Sequence, residues 1–355
     1  MLDVVVVGAG VVGLTSALRL QRQGARVLVV AEALPLSTTS AVAAAVWYPT
    51  GMTAGDQVER WSAEGYAEFA RQAAEAVPGV TMCRTWMLTE SFAPDERPAR
   101  ESPVQEGPVQ ERPAQEGPAP EGAGQDAAAQ GSIPWWAAPV PDLRPLPSAG
   151  AATPGERARH GWEFTAPSVE MPRYLAWLLD QFREGGGRVV QQRLDSLAQL
   201  AGWAPAVVNA SGLGARLLCS DQAVYPVRGQ IVLVRNPGLR TSVRIEGNPA
   251  GYTYVHPRSA DVVLGGTFEE GNWDTAVDPR TAQSILRRCT AAVPELAGAE
   301  VTGHLVGLRP ARRGGVRLGV DEHTLPGTRL VHNYGHGGAG VTLSWGCAAA
   351  TAALL

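Results

Sequence analysis

The 355-residue sequence predicts an α/β chain, α+β over its whole length, divided between two domains. Three features carry that expectation: a strand–glycine turn–helix–strand unit at residues 2–32, a run of β-branched and aromatic segments between 226 and 268, and a second glycine-rich stretch at 331–342 leading into a helix-like tail. A chain this long exceeds one ordinary hydrophobic core, so two domains are the natural division. The two glycine-rich stretches lie at opposite ends, and the fold is expected to bring them together around one bound molecule.

Residues 2–7 form the continuous apolar run of a buried strand, 11–23 repeat apolar residues at helical spacing, Gly24 supplies a stop, and 26–30 read as a second strand. Gly8, Ala9, Gly10, Val11, Val12 and Gly13 span the turn and the helix start. Glycine lets a backbone approach a ligand closely, and a helix start offers unpaired N–H groups and a positive dipole end to an electron-rich group. Ala31 and Glu32 close the second strand, with Glu32 nineteen residues beyond Gly13, a distance at which an acid suits a ribose hydroxyl pair. A GxGxxG turn alone is a weak signal. With a strand before it, a helix after it and the acid in place, it predicts a Rossmann-like unit holding an adenine dinucleotide. A bare strand-to-helix turn would explain the glycines but not Glu32.

Residues 93–132 break this pattern. Four pentapeptides beginning at Pro103, Pro108, Pro113 and Pro118 follow one another with almost no large apolar side chain, which predicts a disordered or extended insertion, with an interaction tail as the sharper alternative. The segment holds eight acids against three arginines, so the chain's net charge of −4 is concentrated there. Folded sequence is expected again from Trp135 and clearly by Trp162. Residues 171–184 read as an amphipathic helix with Tyr174, Leu175, Leu178, Leu179 and Phe182 on its apolar side, stopped by three glycines and followed by a strand at 188–191. A buried strand at 206–212 ends in small residues, suiting a second approach to the cofactor; 226–234, 252–256 and 261–268 read as strands and 281–292 as a helix. The dinucleotide-binding domain is therefore expected to be discontinuous, formed by 1–50, 160–225 and 305–355, with 51–159 and 226–304 making the second domain.

Composition narrows the function. Hydrophobic content of 45% with 18% charge is that of a soluble enzyme, and no apolar run nears the roughly 20 residues a membrane span requires. Neither a signal peptide nor a peroxisomal address is read, so the expected location is cytoplasmic. All 30 basic residues are arginine, which excludes Schiff-base chemistry on a lysine. Cys83, Cys219, Cys289 and Cys347 are too scattered for a disulfide framework or a zinc site and read as small buried thiols, so no metal is expected. Nothing resembles a nucleic-acid patch.

In this order the pieces resemble the D-amino-acid oxidases, within the FAD-dependent amine oxidases that include glycine and sarcosine oxidases. The resemblance rests on segments 5–14, 42–49, 208–212, 227–230, 264–268, 307–312 and 333–342, and covers nearly the whole chain outside the insertion. It implies a Rossmann-like FAD-binding domain joined to a mixed-sheet substrate domain, with FAD bound noncovalently. It implies that Arg309 and Tyr254 hold a substrate carboxylate, that the Gly338 carbonyl accepts the substrate amino group, and that Tyr252 stands at the entrance on a short glycine-rich loop. Independently, a guanidinium fork matches a carboxylate and stays charged at every relevant pH, and Arg312 and Arg313 compete with Arg309 on that ground alone. Tyr48 follows Trp47 where it narrows or polarises the pocket or packs in the core.

For the cofactor the resemblance implies contacts from Ser37, Thr38 and Thr39, in a hydroxyl-rich stretch that includes Ser40, and from Ala43, Ala44, Ala45, Leu194, Ser211 and Gly212. It adds Arg309, Gly335, Gly337 and Gly338, with Gly340, Val341 and Thr342 opening the final helix at the pyrimidine end of the flavin. The implied reaction is oxidative deamination of a neutral D-amino acid to a 2-oxo acid, ammonia and hydrogen peroxide, by hydride transfer from Cα to flavin N5 without an obligatory side-chain base. His336 is thus a loop-structuring residue rather than a base. The expected partners are the D-amino acid and molecular oxygen, with a homodimer as one possible assembly and neither nucleic acid nor membrane. Alternatives are a glycine, sarcosine or D-aspartate oxidase, the last kept open by Arg244 and His256, a flavin dehydrogenase with another electron acceptor, and a nonenzymatic dinucleotide sensor.

Overall fold

The computed structural model describes residues 1–92, 133–149 and 157–355; the insertion expected at 93–132 lies outside the described residues. Strands β1 (Val4–Val7) and β2 (Val27–Ala31) flank helix α1 (Val11–Arg22). Both strands are valine-rich and buried throughout, as a parallel sheet covered on both faces requires. Gly24 turns the chain after α1 at φ 94°, a conformation that resists a side chain. Helices α2 (Thr39–Val42) and α3 (Asp56–Ala74) precede strands β3 (Val80–Phe92), β4 (Arg144–Ala149) and β5 (Arg157–Val169). Then come α4 (Met171–Glu184), β6 (Arg188–Gln191), β7 (Ala206–Asn209) and α5 (Ala215–Leu218). The meander β8 (Val224–Arg235), β9 (Thr241–Glu246), β10 (Thr253–Pro257), β11 (Asp261–Gly265) and β12 (Glu269–Glu270) runs into α6 (Pro279–Ala292). The chain continues through β13 (Val301–Arg312), β14 (Arg317–Asp321), β15 (Arg329–Tyr334) and α7 (Gly340–Ala353).

Among the described residues these strands form two sheets. The first runs β14-β15-β7-β1-β2-β6, parallel except for the antiparallel edge strand β14. The second runs β12-β8-β11-β10-β9-β3-β5-β4, with β13 paired to the other side of β8. Both β5 and β13 belong to this second sheet, so residues 160 and 305 do not mark a change of sheet: β5 pairs with β3 from Val80 to Phe92, and β13 with β8 from Val224 to Val234. Strand β11 ends at Gly265, short of the expected 268, because the next amide, Gly266, donates to the Tyr252 carbonyl at 2.7 Å outside the ladder.

Helices α1 and α4 cover one face of the first sheet through Leu14, Leu18, Tyr174, Leu178 and Phe182, and Val5, Val7, Leu28, Leu197 and Leu200 fill the other. Helix α6 closes the second sheet with Ile285 and Cys289; Pro279 opens it, and Asp278 caps it by accepting from the amides of Arg280 and Thr281. The sheets meet at Asp221. Its Oδ2 accepts from Arg312 Nε at 2.9 Å, at the end of β13, and from the Tyr334 hydroxyl at 2.8 Å, at the end of β15. No helix of the described residues is long and apolar enough to cross a membrane.

Candidate active site

Four parallel strands of the first sheet deliver their carboxyl ends to one cavity of about 560 Å³, the place where open α/β sheets bind ligands. After β1 come Gly8, Ala9 and Gly10; after β2, Glu32; after β7, residues 210–214; after β15, His336, Gly337 and Gly338. Two helices begin at this wall, α1 at Gly10 and α7 at Ala339, and neither N-cap residue supplies a side-chain cap. The first amide of α1, on Val11, instead donates to Ser40 Oγ across 29 residues at 3.0 Å, drawing the 37–45 segment over the turn. The glycines are sterically fixed. A Cβ on Gly8, at φ 109°, would overlap the Ala210 carbonyl, and one on Gly13 would overlap the carbonyl of Gly8.

The second sheet supplies the opposite wall. Arg309 reaches in from β13 and donates through Nη1 to the Thr267 carbonyl at 3.0 Å, with its guanidinium 5.4 Å from the Phe268 ring centre. It has room because β8 carries Gly229 two residues along from its own partner Val227, where any Cβ would collide with the guanidinium. Among the described residues neither Arg309 nor Arg313 has a carboxylate partner, whereas Arg312 is tied to Asp221; Arg313 is exposed, 6.0 Å from the Tyr225 ring, and of the three Arg309 alone lines the cavity. That separates the three competing arginines.

Tyr254 comes from β10, 5% exposed, stacked on His256 at 4.7 Å and edge-on to Tyr252 at 5.3 Å. Burial pushes its phenol up to about 12, against the pull of Arg309, so it stays protonated. Gly265 on β11 makes room for its ring. Burial, aided by the nearby Arg244 charge, pushes His256 down to about 3, and burial alone pushes His336 down to about 4, so both imidazoles are neutral. Arg244 crosses the wall between the Tyr48 and Tyr252 rings, at 4.4 and 5.1 Å, and donates to Glu246 at 3.3 Å and to Thr50 at 3.2 Å. Gly338 sits beside this group: a Cβ there would stand 3.0 Å from Thr50 and 3.7 Å from the Arg309 stem.

Most of the expected site residues line this one cavity: Tyr252, Tyr254, Arg309 and Gly338 together with Gly8 to Val12, Ala31, Glu32, Ser37 to Thr39, Ala43 to Ala45, Leu194, Ser211, Gly212, Gly337 and Gly340 to Thr342. Gly13, Gly335 and Tyr48 stand behind it. Gly13 lets α1 pack on the turn, and Gly335, at φ 89°, bends the chain against Arg312. The Tyr48 ring backs Arg244, while its amide donates to Thr342 Oγ1 at 3.1 Å and its carbonyl accepts from that hydroxyl at 2.9 Å. Sequence reading left out Gln192, Arg193 and Gly229; only the pairing of Arg193 with Glu32 at 3.0 Å and the register of β8 against β13 reveal them.

The FAD dependent oxidoreductase (DAO) family model matches residues 3–354. The chain belongs to this family. This oxidoreductase is 45% identical over 351 residues to a D-amino-acid oxidase of Rubrobacter xylanophilus, covering 99% of this chain and 94% of that one. It is 40% identical over 354 residues to a D-amino-acid oxidase of Streptomyces coelicolor, covering 99% and 96%. Its fold is similar to that of glycine oxidase from Geobacillus kaustophilus, with a TM-score of 0.76 at 20% identity across 99% of this chain and 94% of that one.

The family's cofactor is FAD, and the residues present fit it. Gly8 and Gly10 leave a cradle at an uncapped helix start, Glu32 stands at the second strand's end, and the His336 Nε2, fully buried, has no hydrogen-bond partner among the described residues. Two helix N-termini facing one cavity favour a ligand with negative charge at both places.

Proposed function

We propose that the chain oxidatively deaminates D-amino acids, with neutral side chains preferred. The observation that carries this reading is Arg309: a guanidinium without a carboxylate partner among the described residues, in the same cavity wall as a protonated Tyr254. Together they offer a charged fork and a hydroxyl donor to a substrate carboxylate. The Gly338 carbonyl takes the amino group, so three fixed points (Arg309, Gly338 and the cofactor face) set which Cα hydrogen is presented and hence the D configuration. When bound, FAD supplies the redox chemistry, taking the Cα hydride and passing the electrons to oxygen. Gly8, Gly10, Glu32, Ser211 and Thr342 belong to its binding wall, and the helix start at Gly340 stabilises negative charge near it. Burial lowers the basicity of His256 and His336 so far that neither holds an abstracted proton well, so the protein contributes positioning rather than proton abstraction.

Arg244 raises a second reading, oxidation of an acidic D-amino acid. Its charge already meets Glu246 and two aromatic faces, which lowers its call on a substrate side chain and favours neutral substrates. One experiment tests all of this: the visible spectrum of the purified protein, followed by anaerobic bleaching with neutral D-amino acids, glycine, sarcosine and D-aspartate. Rapid bleaching by neutral D-amino acids is expected. Absence of bleaching by any amino acid would favour a dinucleotide-binding sensor, and bleaching without peroxide formation in air would favour a dehydrogenase.

A further inference from the structure

Beneath the cavity floor runs a chain of hydrogen-bonded polar groups from Asp321 through His332 and Asn209 to Ser211. Asp321 Oδ2 lies 3.0 Å from His332 Nε2, and His332 Nδ1 lies 3.3 Å from Asn209 Nδ2. The Asn209 Oδ1 accepts from the Ser211 amide at 3.2 Å and from the Ser211 hydroxyl at 2.7 Å. Asn209 is wholly buried, His332 is 1% exposed, and Ser211 lines the cavity.

Each direction in this chain follows from the one before. The Asp321 carboxylate, held by the amides of His323 and Thr324 at 2.9 Å each, can only accept, so His332 Nε2 carries the proton. Burial outweighs Asp321 and lowers the basicity of His332, so the ring is neutral and Nδ1 accepts, which turns the Asn209 amide nitrogen toward it; the other Nδ2 hydrogen points to Cys219 Sγ at 3.0 Å. Asn209 Oδ1 must therefore face Ser211 and draws the hydroxyl proton to itself. We propose that Asn209 and His332 are positioning residues that fix the Ser211 hydroxyl as a hydrogen-bond acceptor in the cofactor wall, so that it receives a hydroxyl or amino donor of the cofactor and rejects a bare phosphate oxygen. This rests on FAD occupying the cavity.

The test is a fluorescence titration of the apoprotein with FAD, with thermal unfolding of each apoprotein as a folding control. Loss of one hydrogen bond corresponds to roughly a tenfold change in Kd. Ser211→Ala and Asn209→Leu are each expected to raise Kd about tenfold, and the double variant to bind no more weakly than either, because Asn209 acts through Ser211. An Asn209→Leu protein with unchanged Kd, or a double variant weakened about a hundredfold, overturns the proposal. Should Asn209→Leu give no folded chain, Asn209→Asp decides: it keeps an acceptor for Ser211, so a Kd within about threefold of the unsubstituted protein is expected, and a tenfold loss overturns the assignment. If the unsubstituted apoprotein itself takes up no FAD, the cofactor reading fails instead, whatever the variants do.

Discussion

At the scale of single residues, the proposed site turns on which arginine reaches the cavity without a carboxylate partner among the described residues. Three guanidiniums lie within five positions on the chain, and nothing in their spacing ranks them; the Asp221 contact that occupies Arg312 spans 91 residues and exists only in the fold. Arg309→Ala should leave FAD affinity near its original value while raising KM for a neutral D-amino acid about a hundredfold, the loss of about 2–3 kcal/mol expected for a charge-assisted pair. Steady-state kinetics with an unchanged KM would contradict the assignment. The glycines that Tyr254 and Arg309 lie against are equally specific. Gly265→Ala places a methyl group in the Tyr254 ring and Gly229→Ala one in the Arg309 guanidinium, so both variants should keep the flavin spectrum and lose at least tenfold in kcat/KM. A Gly229→Ala enzyme with full activity would show that Arg309 is placed by something other than that gap.

At the scale of elements, legibility followed the period of the apolar residues. The β1–α1–β2 unit and α4 were readable because valine runs and 3.6-residue spacing impose their own geometry, and Gly24 and Gly185–Gly187 mark the stops. Strand β13 was not. Its sequence mixes two glycines, a proline and alternating polar residues, and it is extended because β8 offers it a full-length partner, with a bulge near Val301 absorbing the mismatch. The same holds for the 37–45 segment: its hydroxyls suggested a cofactor contact, but the bond from the Val11 amide to Ser40 joins elements whose proximity no local pattern encodes. The turn after β1 is the most demanding of these elements. Gly8→Ala should yield a chain that purifies without flavin and regains none on adding FAD, since the new methyl meets a carbonyl rather than a flexible side chain; a yellow, fully loaded Gly8→Ala protein would refute that.

At the scale of the whole molecule, the two sheets bury histidines in their neutral form, and this sets a dependence on acidity. His256, pushed down to about 3, and His336, pushed down to about 4, remain unprotonated in the fold, whereas the unfolded chain takes up protons at each below about 6.5. Their stabilisation is complete above that pH and declines as pH falls through the window toward the folded values, by about 1.4 kcal/mol per unit for each group. The apoprotein should therefore be about 3 kcal/mol less stable at pH 5.5 than at pH 7.5. Urea midpoints that coincide at the two pH values would show that these rings are protonated in the fold.

Asp221 has a bearing on motion. One carboxylate oxygen joins the last residue of β13 to the last residue of β15, so a side chain outside the cavity wall ties the first sheet to the second. Rocking of one sheet over the other would strain this contact together with the neighbouring bridge between Ala311 and His336. Asp221→Asn would keep every side chain that lines the cavity and weaken this tie, so hydrogen exchange should quicken at the ends of both strands. How firmly the two walls of the cavity are held together would then depend on a residue that lines neither of them.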